Sequence, residues 1–258
     1  GRRAAIVAAA SASDMVVNFP LWIVAKRVSA GLPLPPRGEL YKGSGTLYLA
    51  MGPMTVVADG STTLFERALL DLGGFSQRAA LACASMASGV AGALLVGAQV
   101  EALVTRAHAL GGTVAQAAGD TLRSGGLRGL LLPHGLTMIA AREVPYCGCL
   151  FFLSGQFRAR LRPSAQEPPH SWLRLAASDY AAAFFTALVA GPLSHAPSVV
   201  ASYQQAHAAG LGCAVRAIYE ARGGMRGFFH GLLPRTLSLS GSLFIVPFTI
   251  ELLQPLLG

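Results

Sequence analysis

The chain alternates between long apolar stretches and shorter polar segments. A membrane-spanning helix needs about 20 mostly apolar residues. Six stretches reach this length: Ala4–Val28, Pro53–Leu72, Ala79–Val104, Leu136–Phe157, Leu175–Ser202 and Leu237–Leu257. They are rich in Gly, Ala, Ser and Thr, and such small residues let helices approach closely in lipid. The pattern predicts an all-α membrane protein with six transmembrane helices.

Short fragments of the sequence recur at matching places. Leu127-Arg128-Gly129 returns as Met225-Arg226-Gly227 after 98 residues, and His134-Gly135 returns as His230-Gly231 after 96 residues. The connections between the apolar stretches also alternate between long and short, which indicates three helical hairpins. Self-similarity at a regular spacing marks a fold built from equivalent units. We therefore predict one domain over residues 1–258, with repeats at about 1–76, 77–170 and 171–258.

Composition narrows the classes of protein further. The chain is 53% hydrophobic and only 12% charged, whereas soluble domains carry about 25% charged residues. A disordered chain is excluded because disorder requires low hydrophobicity. The net charge is +8, and the basic residues lie beside the apolar stretches, which suits lipid headgroups. We expect membrane lipids as partners and no nucleic acid.

The sequence offers little catalytic or metal-binding chemistry. Cys147 and Cys149 lie in a helical stretch, where alternate residues diverge by about 200° around the axis. They are therefore predicted to pack rather than to bind a metal. We find no Ser/His/Asp triad, no phosphate-binding loop and no paired carboxylates. The chain is predicted not to be an enzyme, and we expect neither a metal nor a catalytic cofactor.

Two segments carry motifs of a known family. One runs from Gly126-Leu127-Arg128-Gly129-Leu130 to Ala141-Arg142-Glu143-Val144-Pro145, and the other from Gly224-Met225-Arg226-Gly227-Phe228-Phe229-His230-Gly231 to Leu233-Pro234-Arg235. With the three repeats, they resemble the mitochondrial carrier family. The resemblance implies a six-helix, pseudo-threefold barrel in the mitochondrial inner membrane, with both termini facing the intermembrane space. It also implies short amphipathic helices on the matrix side.

The charges that open and close such a carrier are sparse in this sequence. The resemblance places the acid and base of the matrix gate at Trp22 and Ala25, Glu101 and Val104, and Val199 and Ser202. Glu101 alone is charged, and its expected partner is Ser202. At the opposite gate Arg158 and Glu251 remain, each expected to face an uncharged residue. We predict no intact ion pair at either end.

The central substrate positions implied by the resemblance are Val57, Arg142 and Ser238, and Asp14 lies nearby in the first helix. Arg142 is the one charge at these three positions. Its guanidinium could anchor an anion through two hydrogen bonds. Alternatively, it is a structural arginine satisfied by Glu143, Asp14, Asp59 or a carbonyl. Both interpretations stay open at this stage.

A weaker candidate is a pair of lipid-binding turns. His134-Gly135 and His230-Gly231 precede apolar stretches at equivalent places, where a helix N-terminus can bind a phosphate. The carrier resemblance makes cardiolipin the expected lipid. A plain turn is the alternative.

These observations lead to three hypotheses of function. The first is a carrier-fold protein that no longer transports and serves as an accessory subunit of an inner-membrane assembly, with a respiratory-chain complex as the first choice. The second is a divergent carrier of a small anion, anchored by Arg142. The third is a lipid-scrambling or protein-inserting barrel, which polar residues such as Asp14, Asn18 and Asp59 on an open flank would favour.

Overall fold

The computed structural model describes residues 2–163 and 172–257, which are helical apart from short connections. The α-helices are α1 (Arg2–Ala30), α2 (Ser44–Asp71), α3 (Gln77–Gly92), α4 (Ala98–Leu110), α5 (Val114–Leu131), α6 (Leu136–Cys147), α7 (Ser154–Leu161), α8 (Trp172–His207), α9 (Leu211–Ala221) and α10 (Leu232–Leu253). One-turn π-helical segments join α3 to α4 (Ala93–Gly97) and α6 to α7 (Gly148–Leu153). The described residues contain no strand, so the all-α prediction is confirmed.

Five helical regions are long and apolar enough to cross a membrane, as expected of a multi-pass membrane protein. They are Arg2–Ala30, Gln77–Leu110, Leu136–Leu161, Trp172–His207 and Gly224–Leu253. The remaining long helix, α2, has 28 residues, but Asp59 and several Gly and Thr residues make it less apolar. Six spans thus stay a prediction. The proposed repeat boundary at 170/171 lies outside the described residues.

The long helices pack in chain order around a closed ring. α1 packs on α2, α2 on α3, α3 on α6, α6 on α8, α8 on α10, and α10 returns to α1. In addition, α8 contacts both α1 and α4. Apolar clusters fill the contacts between neighbouring helices, for example Phe19 and Ile23 of α1 against Leu47 of α2. The ring therefore has an interior into which polar side chains of several helices project.

The connecting helices gather at one end of the ring, which we call the linker end. α5 packs on α4, and α9 packs on α8. A capping box starts α5, because the Thr113 side chain accepts from the Gln116 backbone and the Gln116 side chain accepts from the Thr113 backbone. The first connection holds only a 3-10 turn, Arg37–Glu39. The other end, where Arg3 of α1 pairs with Asp59 of α2, is called the terminal end.

The second helix begins earlier than the sequence predicts. We expect it from Pro53, whereas α2 starts at Ser44 and passes through Pro53. In a bundle, neighbouring helices and nearby side chains can satisfy the backbone groups that a proline leaves free. The first connection is consequently shorter than expected, and it contains a 3-10 turn in place of an α-helix like α5 or α9.

Candidate functional site

Lys26 joins three helices at the linker end. Its ammonium group pairs with the Glu101 carboxylate in the first turn of α4. It also donates hydrogen bonds to Ser202 Oγ over 3.1 Å and to Gln205 Oε1 over 3.3 Å, both on α8. The side chains of Lys26 and Glu101 are only 4% and 7% exposed. This contact therefore ties the ends of α1, α4 and α8 together inside the ring.

Arg142 on α6 completes the linker-end network. Its Nη1 donates to Glu101 Oε1 over 2.8 Å, and its Nε donates to Glu143 Oε1 over 2.9 Å. Its Nη2 pairs with the same Glu143 oxygen. Two carboxylates thus occupy the guanidinium, and all three side chains are buried. This geometry favours the structural interpretation of Arg142 over that of an open anion anchor.

The prediction that Glu101 lacks an ion pair is wrong. Its cationic partner on α1 is Lys26, one residue beyond the expected base position at Ala25, and its second partner comes from α6. A long lysine side chain can reach the interior from the neighbouring register position. Ser202 does meet the network, as the acceptor of a hydrogen bond from Lys26. The missed signal was a lysine, one of only two in the chain, within an apolar stretch.

A second ion-pair network joins α7, α8 and α10 at the terminal end. Arg158 Nη1 donates to Glu251 Oε1 over 3.0 Å and links α7 to α10. Arg162 follows α7 and donates to both carboxylate oxygens of Asp179 on α8, each over 2.6 Å. It also pairs with Glu251 over 2.5 Å. Hydrogen bonds to Asp179, together with that acid's charge, raise the pKa of Arg162 above its ordinary value.

The prediction that no bridge remains at the terminal end is therefore wrong as well. Arg158 and Glu251 face each other, although both were expected to face uncharged residues. Asp179 and Arg162 add partners that the family positions do not include. Asp179 is fully buried, so its carboxylate depends on these arginines for compensation.

A small cavity lies between the two networks. Four helices line it with the polar residues Ser11, Asp14, Thr55, Glu143 and Tyr146 and with apolar side chains, and its volume is about 40 Å³. Ser242 Oγ donates to Asp14 Oδ2 over 2.8 Å, and Asn18 Nδ2 donates to the Ser238 carbonyl over 2.6 Å. Of the four predicted substrate residues, only Asp14 lines this cavity.

Arg235 at the start of α10 is a buried cation that sequence reasoning passed over. It is 7% exposed, and its Nε has no hydrogen-bond partner. Its charge interacts at a distance with the charges of Arg142, Glu143 and Glu101. However, it forms no ion pair with any acid in the described part of the chain. Arg142, by contrast, has two carboxylate partners.

Equivalent glycines start the three helices α2, α6 and α10. Gly43, Gly135 and Gly231 each precede the first helical residue with φ of 81°, 87° and 85°. A Cβ at Gly135 would lie 3.1 Å from the Ala201 carbonyl oxygen, and one at Gly231 would lie 2.9 Å from Val28. Both turns thus require glycine for conformation and for close packing.

Comparison with known proteins gives no relative for this chain. No family model matches it, and no curated protein matches it.

The His-Gly turns are also tied into the protein. The carbonyl of His230 contacts Nε2 of the buried His195 over 3.1 Å, and His134 lines a cavity at the linker end. In the corresponding turn before α2 this position is Lys42, whose Nζ donates to the Gly111 carbonyl over 3.1 Å. A basic residue or histidine therefore precedes each of the three left-handed glycines. Lipid binding at these turns stays a prediction.

The cysteines offer no ligand set for a metal. Cys147 Sγ lies 3.9 Å from Glu143 Oε2 in the interior, whereas Cys83 and Cys213 are exposed. Across residues 2–163 and 172–257, no three His, Cys, Asp or Glu side chains come together as metal ligands.

Proposed function

We propose that this chain is a carrier-like helical barrel that does not transport, and that it serves as a structural subunit of a membrane assembly. One observation carries this proposal: ion-pair networks join helices at both ends of the ring at once, and the cavity lined by Asp14 and Glu143 between them has a volume of only about 40 Å³.

Transport by alternating access requires a different arrangement of the two ends. Such a protein exchanges two states in which one end is open while the other is closed. Opening a buried network costs about 3–5 kcal/mol for each pair that loses a partner, and substrate binding has to offset this cost. Small-molecule sites usually measure about 300–1,000 Å³. The hydrogen bonds of Asp14 and Asn18 with Ser242, which hold α1 against α10, are better suited to rigidity than to exchange.

The carrier-like architecture of the proposal rests on repetition. The ring follows chain order, and a left-handed glycine starts the second helix of each hairpin at Gly43, Gly135 and Gly231. Under this proposal α2 is a sixth span, the three repeats are pseudo-threefold, and α5 and α9 lie on the matrix side. The location then follows from the resemblance: the mitochondrial inner membrane, with both termini towards the intermembrane space and bound cardiolipin at the His-Gly turns.

The first experiment is native electrophoresis of mitochondrial membranes in mild detergent, with mass spectrometry across the gel. We expect the chain to co-migrate with a large complex, and a respiratory-chain complex is the partner we propose. Migration near the mass of one chain with its detergent would contradict the structural role. Recovery from a different membrane would contradict the location but not the role.

A second candidate function is exchange of a small anion, because Lys26, Glu101 and Arg142 connect four helices where a carrier gate would form. Purified protein in liposomes tests this candidate directly. Saturable uptake that is lost in Arg142→Ala, with the fold retained, would replace our proposal. A lipid-scrambling barrel has less support, since Asp14 and Asn18 are buried at the contact of α1 with α10 instead of lining an open flank.

A further inference from the structure

Pro20 leaves one backbone carbonyl of α1 without its helical donor. It lies inside α1, and a proline has no N–H to give to the carbonyl four residues earlier, which is that of Val16. Tyr41, in the connection between α1 and α2, donates its hydroxyl to this oxygen over 3.0 Å. A side chain from outside the helix thus replaces the donor that the proline lacks.

The surroundings of this hydrogen bond give it weight. Val16 and Tyr41 are 64% and 52% exposed, and in a membrane-spanning helix such a surface faces lipid. Lipid tails donate no hydrogen bond, so a carbonyl without a partner is costly there. The Tyr41 ring also stacks on Phe19, with the ring centroids 6.0 Å apart, and this contact helps to fix the direction of its hydroxyl.

A second break in the helical hydrogen bonding lies between α3 and α4. In the π-helical segment Ala93–Gly97, the Ala98 N–H bonds to the first carbonyl of the segment. The Leu94 carbonyl therefore loses the donor that an α-helix would give it. Gln99 donates to this oxygen over 2.8 Å and to the Leu131 carbonyl at the end of α5 over 3.1 Å. One amide group thus restores the missing bond and ties the break to a connecting helix.

We propose that Tyr41 and Gln99 are braces, which hold these two helix breaks rigid against the connections at the linker end. Each brace joins a carbonyl freed inside a long helix to a linker connection through one side-chain donor. The linker-end halves of α1 and α4 are thereby restrained from bending at the breaks. α8 differs, since no side chain in the described ranges donates to the Leu193 carbonyl, four residues before Pro197. The proposal concerns the breaks alone, so it can fail while the proposed structural role of the barrel stands.

A double-mutant cycle, measured by chemical unfolding in detergent, tests the brace in α1. Tyr41→Phe removes the hydroxyl and keeps the ring, and it should raise the unfolding equilibrium constant about threefold to twentyfold. In a Pro20→Ala background the alanine supplies its own N–H to the Val16 carbonyl. The same tyrosine change should then have an effect of less than about twofold.

Tyr48→Phe is the matched control for this cycle. Tyr48 is 45% exposed on α2, and its hydroxyl makes no hydrogen bond within the described chain, so its loss should change the unfolding constant by less than about twofold. An equal effect of Tyr41→Phe with and without Pro20 would overturn the brace.

Amide hydrogen exchange measures the restraint itself and needs no proline variant. Tyr41→Phe should speed exchange at residues 17–27, and Gln99→Met should do so at residues 93–105, by about threefold to twentyfold in each case. The part of α8 that follows Pro197 is the internal reference and should keep its rates.

Gln77→Met serves as the control for the glutamine brace. Gln77 is exposed at the start of α3, and its side chain makes no hydrogen bond in the part of the chain that the structure describes. It should leave exchange at residues 93–105 unchanged. Unchanged exchange at a break after loss of its brace, or an equal increase in α8, would overturn the proposal for that helix.

Discussion

Glu101 of α4 accepts a 2.8 Å hydrogen bond from Arg142 of α6 through the same carboxylate oxygen that pairs with Lys26 of α1. One acidic side chain thus compensates two buried cations from different helices. Removing it leaves both cations in a low-dielectric interior, whereas removing either cation leaves Glu101 with one partner.

Glu101→Gln should therefore be strongly destabilising. Gln has nearly the same shape as Glu but no charge, so we expect a loss of about 3–5 kcal/mol of unfolding free energy. Chemical unfolding in detergent measures it. The control is Glu220→Gln on α9, an exposed acid that pairs with Arg216 and should cost about 0.3–0.5 kcal/mol. Equal effects of the two changes would contradict the compensating role of Glu101.

Arg142 and Arg235 should respond differently to the same substitution. Arg142→Met removes one partner of Glu101 and the two guanidinium donors to Glu143, and we expect a loss of about 3–5 kcal/mol. Arg235→Met removes a buried cation that has no ion-pair partner, and methionine can fill a similar space. Its unfolding free energy should stay equal or rise by about 1 kcal/mol. A loss at Arg235 as large as that at Arg142 would mean that Arg235 compensates an acid after all.

Gly241 fixes the distance between α10 and α1. A Cβ there would lie 2.9 Å from Asn18 Cγ, and Asn18 holds the two helices together through the Ser238 carbonyl. We expect Gly241→Ala to destabilise the protein by about 1–3 kcal/mol. Gly60→Ala on α2, where nothing lies within 4 Å, should be neutral or stabilising by up to about 1 kcal/mol. If the additional Asn18→Ala leaves the cost of Gly241→Ala unchanged, crowding is not the cause.

The sequence predicts the helices of this protein better than it predicts their contacts. Hydrophobic length locates every long helix, because a bilayer imposes a fixed number of apolar residues. The start of α2 is missed by nine residues, since Pro53 resembles a helix start but lies inside the helix.

The ion pairs are harder to predict, because they depend on the positions of the charged groups at the tips of long side chains. Lys26 reaches Glu101 from a position one residue away from the expected one, and Asp179 pairs with Arg162, which follows the end of α7. Family positions describe backbone register, whereas long Lys, Arg and Glu side chains can span a shift of one residue.

The ion-pair networks at the two ends offer a direct test of whether the protein alternates between two conformational states. Asp179 and Ser202 mark the two ends on α8 and lie roughly 35 Å apart along the helix, at about 1.5 Å per residue. Distant and independent sites in a rigid protein give additive changes in stability, within about 0.5 kcal/mol. In a protein that alternates between two states, weakening the ion pairs at one end shifts the population towards the state in which the other end is closed.

For the double variant Glu101→Gln/Asp179→Asn we therefore expect the sum of the two single losses of unfolding free energy. The proposed static barrel has no second state through which the two ends could communicate. As a neighbouring pair for comparison, Arg162→Gln with Asp179→Asn should depart from additivity by more than 0.5 kcal/mol, because those side chains share two hydrogen bonds. An equally large departure for Glu101 with Asp179 would show that the ends are coupled, and alternating access would then become the better account of this fold.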